Sequence, residues 1–139
     1  MADLPACAQI INDYIDSTDW LPRTKPRAEI AGLFTPELLD KRTMLVVEVD
    51  REVAAYASAA DGFVYAIYIA PRHRNAGIGA KLLDELKSRY QQLELTVFEL
   101  NDRARRFYDR EGFSEIPERR DDNTEEGVPT LLMRWRRAA

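Results

Sequence analysis

The sequence predicts an α+β fold with a mixed, mostly antiparallel sheet of about six strands flanked by about four helices. Three strand-like segments, residues 43–49, 52–60 and 63–70, follow one another with two-residue connections, and such short connections join antiparallel neighbours. A glycine turn, a helix-like run and another strand-like run come next. A strand, a helix and a strand in this order make a right-handed crossover between parallel strands. The sheet must therefore contain both strand directions.

Size and composition indicate one globular domain over residues 1–139. A chain of 139 residues can bury roughly two-thirds of its unfolded surface in a single core. With 45% apolar and 32% charged residues, its balance is that of an ordinary globular protein. The only cysteine, Cys7, excludes an intrachain disulfide and favours a reducing cytoplasm. Cys7 falls in an apolar helical pattern, so we expect a small buried side chain there rather than a nucleophile.

The N-terminal region is predicted to be helical. Asp3 can cap a helix that has Pro5 in its first turn. Apolar residues then recur at helical spacing, which leaves Asn12, Asp13 and Asp16 facing outward. No run of eighteen apolar residues and no basic segment followed by an apolar core is present, so neither a membrane span nor a secretion signal is expected.

Two short helical segments should precede the first strand. Residues 17–26 contain prolines and are predicted to form a loop, and residues 27–34 to form a helix. Thr35 is placed to cap a further short turn with Pro36 at its first position.

The middle strand, residues 52–60, is the least certain element by propensity. It is rich in alanine, which is a weak strand former, and a helix is the competing assignment. The flanking turns leave only nine residues, which is short for a helix between two strands. We therefore expect a strand that is held by burial between its neighbours.

The second half continues with a helix from Ile78 and a strand over residues 92–99 that alternates apolar and polar side chains. Asn101 can cap the next helix, and Gly112 can end it. The last two strands are predicted at residues 113–116 and 130–136, with a charged loop over 117–127 between them.

The turn over residues 74–79 has the form R-x-x-G-x-G and lies between a strand and a helix. The N-terminus of a helix carries unpaired N–H groups and a partial positive charge, so it stabilises an anion. Gly77 and Gly79 have no Cβ, which allows a tight turn and a close approach of phosphate. Three basic residues surround the turn: Arg72, Arg74 and Lys81. An anion site is one interpretation; a simple break between two elements is the other.

The charge of the chain and the spacing of the glycines exclude several classes of anion-binding site. The chain has 20 basic and 24 acidic residues and a net charge of -4, so a local basic cluster favours a specific anion site over nucleic-acid binding. A Walker loop would need a lysine and a hydroxyl residue that are missing here, and a dinucleotide fingerprint would need a third glycine.

Two segments resemble one known family. The segment IYIAPRHRNAGIGAKLLDEL resembles the acetyl-CoA-binding motif of the GNAT superfamily of N-acetyltransferases. The segment LTVFELNDRARRFYDREGF follows the pattern L-x-V-x-x-x-N-x-x-A-x-x-F-Y-x-x-x-G-F, which resembles the strand, helix and strand that complete the cofactor site in that family. The resemblance covers residues 43–113 well and implies a three-layer fold. One departure is that such proteins usually have an N-terminal edge strand, which is not visible before the first helix here.

The resemblance implies a site for acetyl-CoA as co-substrate. The pantetheine arm would lie along the strand backbone of Ile67, Tyr68 and Ile69, and Asn101 would contact the same arm. The pyrophosphate would rest on the glycine turn and the start of the helix: Arg74, Asn75, Ala76, Gly77, Ile78, Gly79 and Ala80.

The resemblance also implies direct transfer of the acetyl group to a primary amine, with Tyr108 near the thioester sulfur. A tyrosine has a pKa of about 10 and can give its proton to a leaving thiolate. Some members use a strand glutamate as the base, but Thr96 stands at that position. Glu99, Glu94 and Glu48 remain as weak base candidates, as does a water chain lined by Tyr65.

The acceptor is not identified by the sequence. An acidic chain favours cationic acceptors such as polyamines, aminoglycosides or lysine, and a homodimer is possible. The alternative function is a non-catalytic CoA-binding or regulatory domain. His73, the only histidine, is expected to have a structural or phosphate-side role because it lies beside the glycine turn. No Cys/His cluster has the spacing of metal ligands, and neither a membrane nor a nucleic acid is an expected partner.

Overall fold

Six strands form one mixed sheet in the computed structural model, which describes residues 3–74 and 76–138. The strands are β1 (Thr43–Val49), β2 (Glu52–Ala60), β3 (Phe63–Ile69), β4 (Gln92–Phe98), β5 (Ser114–Asp121) and β6 (Thr130–Arg136). The α-helices are α1 (Leu4–Asp16), α2 (Arg27–Ala31), α3 (Leu38–Lys41), α4 (Ile78–Arg89) and α5 (Asp102–Arg110). The strand order is β1-β2-β3-β4-β6-β5, and only the β3/β4 pair is parallel. The predicted fold class is confirmed.

The two predicted hairpins are present. Asp50 and Arg51, between β1 and β2, have φ of 52° and 68°, and Asp61 and Gly62, between β2 and β3, have φ of 53° and 80°. Positive φ at both central residues is the geometry of a type I′ turn, whose twist matches that of the strands that it joins. Two non-glycine residues in the left-handed region at the first hairpin show that strand pairing outweighs the local cost.

Strand β2 lies at the centre of one half of the sheet, as expected. Its alanines at 54, 55, 57 and 59 are all fully buried, and helices pack on it from both faces, α1 on one and α4 on the other. Small side chains let both helices approach, so burial compensates for weak strand propensity.

Helices cover both faces of the sheet. On one face, Cys7 and Ile10 of α1 pack with Tyr56 of β2. On the other face, α4 contributes the buried leucines 82, 83 and 86, and α5 packs beside it. Cys7 is 1% exposed, and burial, assisted by the charge of Asp3, raises the pKa of its thiol to about 11. This is the inert buried thiol that the pattern predicts.

Strands β3 and β4 pair over a very short distance. Their ladder consists of Phe63 with Glu94 and Val64 with Leu95. Beyond these pairs the two strands part, although each continues for several residues. The α4 crossover spans the gap on one face, and the parting leaves an opening in the middle of the sheet.

The outward position predicted for Asn12 is wrong. Asn12 is 3% exposed because the segment between α1 and α2 folds back over the helix. Its side-chain NH₂ donates to the carbonyl of Arg27 (3.1 Å), and its side-chain oxygen accepts from Arg23 (2.9 Å). Arg23 also donates to the backbone carbonyl of Asn12 and to Asp16. A helical pattern alone could not reveal this polar clamp.

Some boundaries also differ from prediction. Helix α2 ends at Ala31 instead of residue 34, and α3 is capped by Glu37 instead of Thr35. Strand β5 extends to Asp121, because its pairing with β6 resumes there after an irregular stretch. That stretch carries Pro117 and exposed charges, features that protect an edge strand from further pairing. Five α-helices are described instead of about four, since two of them are short.

Replacing the arginine of the polar clamp should destabilise the fold. In Arg23→Ala the side-chain oxygen of Asn12 would remain buried without a donor, so we expect a loss of about 1–3 kcal/mol in the free energy of unfolding. Urea denaturation measures this, with the exposed Arg119→Ala as a control that should change stability by less than about 0.5 kcal/mol. An equal, small effect of the two substitutions would contradict the role of the clamp.

Candidate active site

A cleft of about 1060 Å³ opens where β3 and β4 part. Its walls come from most of β3, the C-terminal half of β4, the N-terminal end of α4, the length of α5, the end of α1 with the segment after it, and the loop between β5 and β6. Because the α4/α5 layer covers one face of the sheet and α1 the other, an opening between the strands connects both faces.

The backbone of β3 presents unpaired groups to this cleft. The N–H of Ala70 donates to Ala54 of β2 (2.8 Å), and N–H groups along a strand alternate between its two edges. Tyr68 therefore directs its N–H and C=O toward β2, whereas Ile67 and Ile69 direct theirs toward β4. The β3/β4 ladder ends before these residues, so their peptide groups are available to a ligand that runs along the strand.

The N-terminal end of α4 forms the second wall. Gly77 has φ of 76° and precedes the helix as its N-cap residue, a conformation that favours glycine. A Cβ at Gly77 would meet nothing within 4 Å, so the space beside these amides is open to an anion. The lining residues from this turn are Arg74, Gly77, Ile78, Gly79 and Ala80. Ala76 is exposed just outside the lining, and Asn75 lies outside the described residues.

The second glycine of the turn, Gly79, is required for close packing and not for backbone conformation. Gly79 is buried, and a Cβ there would lie 2.9 Å from Cζ of Phe107 and 3.2 Å from Cδ1 of Ile69. Gly79 therefore lets α4 pack closely on α5 and β3. The R-x-x-G-x-G motif thus combines one glycine for backbone conformation with one for helix packing.

Three tyrosines meet in the cleft. Tyr108 comes from α5, Tyr68 from β3 and Tyr14 from the end of α1. The rings of Tyr14 and Tyr68 are 5.0 Å apart. Burial raises the pKa of Tyr108, as does the neighbouring Tyr14, and burial is also the main cause of the raised pKa of Tyr68 and of Tyr14. All three phenols therefore hold their protons at neutral pH.

Asn101 connects two of the walls. Its side-chain oxygen accepts from the N–H of Ala104 (3.1 Å), which confirms the predicted helix cap. Its NH₂ group donates to the hydroxyl of Tyr14 (3.0 Å). Asn101 therefore positions Tyr14 as well as α5, and one amide hydrogen remains to meet a ligand in the cleft.

The glutamates considered as bases are engaged elsewhere. Glu99 accepts from Nε of Arg120 (2.6 Å), and this bond, with the arginine's charge, lowers the pKa of Glu99. Glu94 pairs with Arg134 (2.6 Å). Neither residue lines the cleft, nor does Glu48. The ion pair of Glu99 weighs against the base role expected for it, since a low pKa and a bound guanidinium both disfavour proton uptake.

His73 likewise does not line the cleft. Its Nε2 is buried without a hydrogen-bond partner among the described residues and lies 3.9 Å from a carboxylate oxygen of Glu52. This position beside the glycine turn agrees with a structural role.

Sequence reasoning missed several lining residues. The helical pattern of the first helix predicts only an apolar face at Tyr14, and the proline-containing segment 17–26 predicts only a loop at Trp20. Trp20 packs edge-on against Phe98 at the end of β4 (5.5 Å). Glu126, in the charged loop after β5, also lines the cleft. A phenol on an apolar helix face was the one signal in the sequence; the other two residues reach the cleft through loop conformations that carry no periodicity.

A profile of the acetyltransferase (GNAT) domain family matches residues 40–115. The chain belongs to the GNAT acetyltransferase family. It is an N-acetyltransferase, which confirms the predicted enzyme over a non-catalytic domain. Acetyl-CoA is its co-substrate, and the open space at Gly77 and the unpaired strand backbone of β3 suit its phosphates and its amide-bearing arm.

Known proteins resemble this acetyltransferase along almost its whole length. The curated "Peptidyl-lysine N-acetyltransferase YiaC" of Escherichia coli is 28% identical, over 96% of this chain and 91% of that protein. The solution structure of apo YjaB from Escherichia coli has a TM-score of 0.76 at 22% identity, over 96% of this chain and 91% of that one. A structure of YncA from Salmonella typhimurium with acetyl-CoA has a TM-score of 0.71 at 22% identity, over 99% and 92% of the two chains.

Two further findings concern other classes of site in this acetyltransferase. Within residues 3–74 and 76–138, no group of three or more His, Cys, Asp or Glu residues is arranged to hold a metal ion. In the same residues, no helix is long and apolar enough to cross a bilayer.

Adding a methyl group at Gly79 should weaken acetyl-CoA binding more than it weakens the fold. In Gly79→Ala the new methyl would collide with Phe107 and crowd Ile69, both of which line the cleft, while alanine itself favours the helix by about 1 kcal/mol. We expect the Kd for acetyl-CoA to rise at least about tenfold with a small change in melting temperature. Calorimetric titration measures the Kd, and Ser88→Ala at the far end of α4 is the control. An unchanged Kd would contradict the role of Gly79 in shaping the site for acetyl-CoA.

Proposed function

We propose that this enzyme transfers the acetyl group directly to a primary amine, and that the natural acceptor is a lysine side chain of a peptide or protein. The observation that carries the proposal is the parting of β3 and β4, which opens the sheet from one face to the other. Donor and acceptor can then approach the same point from opposite sides. The peptidyl-lysine activity named for the E. coli relative supports this class of acceptor.

The α4/α5 face is suited to the donor. Acetyl-CoA, when bound, supplies the acetyl group as a thioester. The N-terminal amides of α4 and the side chain of Arg74 would hold its phosphates, and the peptide groups of Ile67 and Ile69 would pair with its amide-bearing arm as a neighbouring strand would. A backbone N–H of β3 would stabilise negative charge on the acetyl oxygen.

Tyr108 is the proposed acid. It lies on α5 and lines the cleft together with the other two tyrosines, and its raised pKa keeps the hydroxyl protonated. A protonated phenol can donate to a sulfur that gains negative charge as its bond to carbon breaks. Because the cleft takes residues from α1 through to the strand β6, we also propose that residues 1–139 act as one catalytic domain.

Removing the Tyr108 hydroxyl should slow acetyl transfer without weakening the binding of acetyl-CoA. For Tyr108→Phe we expect kcat to fall by about 10²–10⁴-fold, the usual contribution of a general acid, with the KM for acetyl-CoA changed less than about threefold. Thiol release from acetyl-CoA with a lysine peptide measures both.

The pH dependence provides a check on the same residue. Since burial raises the pKa of Tyr108 above its ordinary value of about 10, the acid stays protonated throughout the neutral range, and wild-type kcat should not decline between about pH 6 and 9. A Tyr108→Phe enzyme with wild-type kcat would refute the acid role, and a wild-type enzyme that acetylates no amine would refute the proposed function.

A further inference from the structure

The loop between β5 and β6 holds one glutamate at the cleft in a fixed turn. The N–H of Gly127 donates to the carbonyl of Thr124 (3.1 Å), and the hydroxyl of Thr124 donates to the carbonyl of Val128 (2.6 Å). Glu125 is bound through both carboxylate oxygens to Lys25 at 2.9 Å, in the segment after α1. Glu126 is the next residue of this turn, and it lines the cleft.

Glu126 differs from the other half-buried glutamates in having no partner. The others are each ion-paired: Glu94 with Arg134, Glu99 with Arg120, Glu111 with Lys87, and Glu115 with Arg105. Among the described residues, none forms an ion pair or a side-chain hydrogen bond with Glu126. The pKa of Lys25 is raised mainly by its hydrogen bond to Glu125 and to a smaller extent by the charge of Glu126, so this ammonium group is bound to Glu125 and leaves the Glu126 carboxylate able to accept from a cation that enters the cleft.

Charged residues of both signs line the cleft. Arg74 lies in the turn before α4, Arg103 and Arg110 lie on α5, and Glu111 follows α5. Glu126 and the exposed Asp19 line it beside the tyrosines that reach it from α1 and β3. The charge of Glu126 is among the causes that raise the pKa of Tyr68, after burial and the phenols of Tyr14 and Tyr108, which places the carboxylate near the same point. Glu126 therefore adds negative charge to the cleft beside Tyr68, which would favour an ammonium group there.

We propose that Glu126 binds the protonated amine of the acceptor and acts as the general base that removes one of its protons. The inference rests on the proposed function and deepens it, since it specifies an alkylammonium group, such as that of lysine, as the acceptor. Thr96, at the position where some relatives carry a glutamate, lines the same cleft but cannot take up a proton. The proposed base thus lies in the loop before β6 and not on the strand β4.

Glu126 and Tyr108 would each take part in the proton transfers that accompany acetyl transfer. The ammonium gives one proton to the carboxylate of Glu126, and the neutral amine forms a bond to the acetyl carbon while the carbon–sulfur bond breaks. Tyr108 gives its proton to the leaving sulfur, and the second amine proton returns through water to Tyr108. Glu126 then releases its proton to solvent, so one proton is released for each acetyl group transferred. No oxidant or further reactant is needed.

The test compares Glu126→Gln, which keeps the shape but not the charge, with Glu126→Asp and with the exposed Glu118→Gln as the matched control. Initial rates are measured with acetyl-CoA and a lysine peptide across pH. The other titratable groups that face Glu126 are Tyr68, Asp19, Lys25 and its neighbour Glu125, and they are unchanged in all variants.

We expect Glu126→Gln to lower kcat/KM for the peptide at neutral pH by at least about 10²-fold, with the KM for acetyl-CoA and the CoA affinity unchanged. Wild-type kcat/KM should be level across neutral pH up to the pKa of the amine, about 10.4. Without the base only neutral amine can react, so kcat/KM of Glu126→Gln should rise about tenfold for each pH unit over the same range. Glu126→Asp should keep the level region at a reduced rate, and Glu118→Gln should match the wild type.

Two results would overturn the inference: a Glu126→Gln enzyme within about threefold of wild-type kcat/KM, or a pH profile of that variant as level as the wild type's. Unaltered CoA binding and melting temperature show that the variants are folded, and Glu126→Asp still tests the base if Glu126→Gln does not fold. A failure of the proposed function would be visible earlier, in the wild type, as no transfer to any lysine peptide.

Discussion

The architecture of the cleft depends on the short ladder between β3 and β4, which stops after Val64 and Leu95. Only two residue pairs form the parallel ladder. They join the antiparallel strands β1-β2-β3 to the antiparallel strands β4-β6-β5, and beyond them β3 and β4 diverge. Backbone groups that lose their ladder partner must find another or remain solvated. The parting therefore creates a row of donors and acceptors on β3, and this row can bind a flexible, amide-containing molecule by main-chain hydrogen bonds.

Packing around the opening must hold it apart without filling it. Helix α4 crosses from one half of the sheet to the other and buries a row of leucines beneath it, while Gly79 lets α5 approach closely. On the opposite face, α1 brings Tyr14 to the cleft, where Asn101 binds its hydroxyl. The polar clamp of Arg23 and Asn12 fixes the segment after α1, and the ion pair between Lys25 and Glu125 joins that segment to the loop before β6. Stability and the shape of the acceptor side are thus linked through the same few polar contacts.

Most of the fold could be predicted because its signals are local. The type I′ hairpins, the alanine-rich strand and the helix after the glycine turn were each legible in a window of about ten residues. Asn12 was mispredicted because its burial depends on Arg23, eleven residues later, and helical periodicity holds no information on such a contact. The lining residues on β3, α4 and α5 could be predicted for a similar reason, because they belong to motifs on regular elements. Other lining residues could not be predicted in this way: Trp20 and Glu126 reach the cleft from loops, and the ion pairs of Glu94 and Glu99 exist only in three dimensions.

One consequence of the aromatic packing concerns how this enzyme can be observed. The chain has two tryptophans. Trp20 packs on Phe98 in the wall of the cleft, whereas Trp135 lies under the ammonium of Lys87, 5.4 Å from its ring centre, on the strand β6. The indole of Trp20 is thus an intrinsic fluorophore in the wall of the cleft, which Trp135 does not line. A change in tryptophan emission on ligand binding would therefore report on the cleft through Trp20, with no label attached to either substrate.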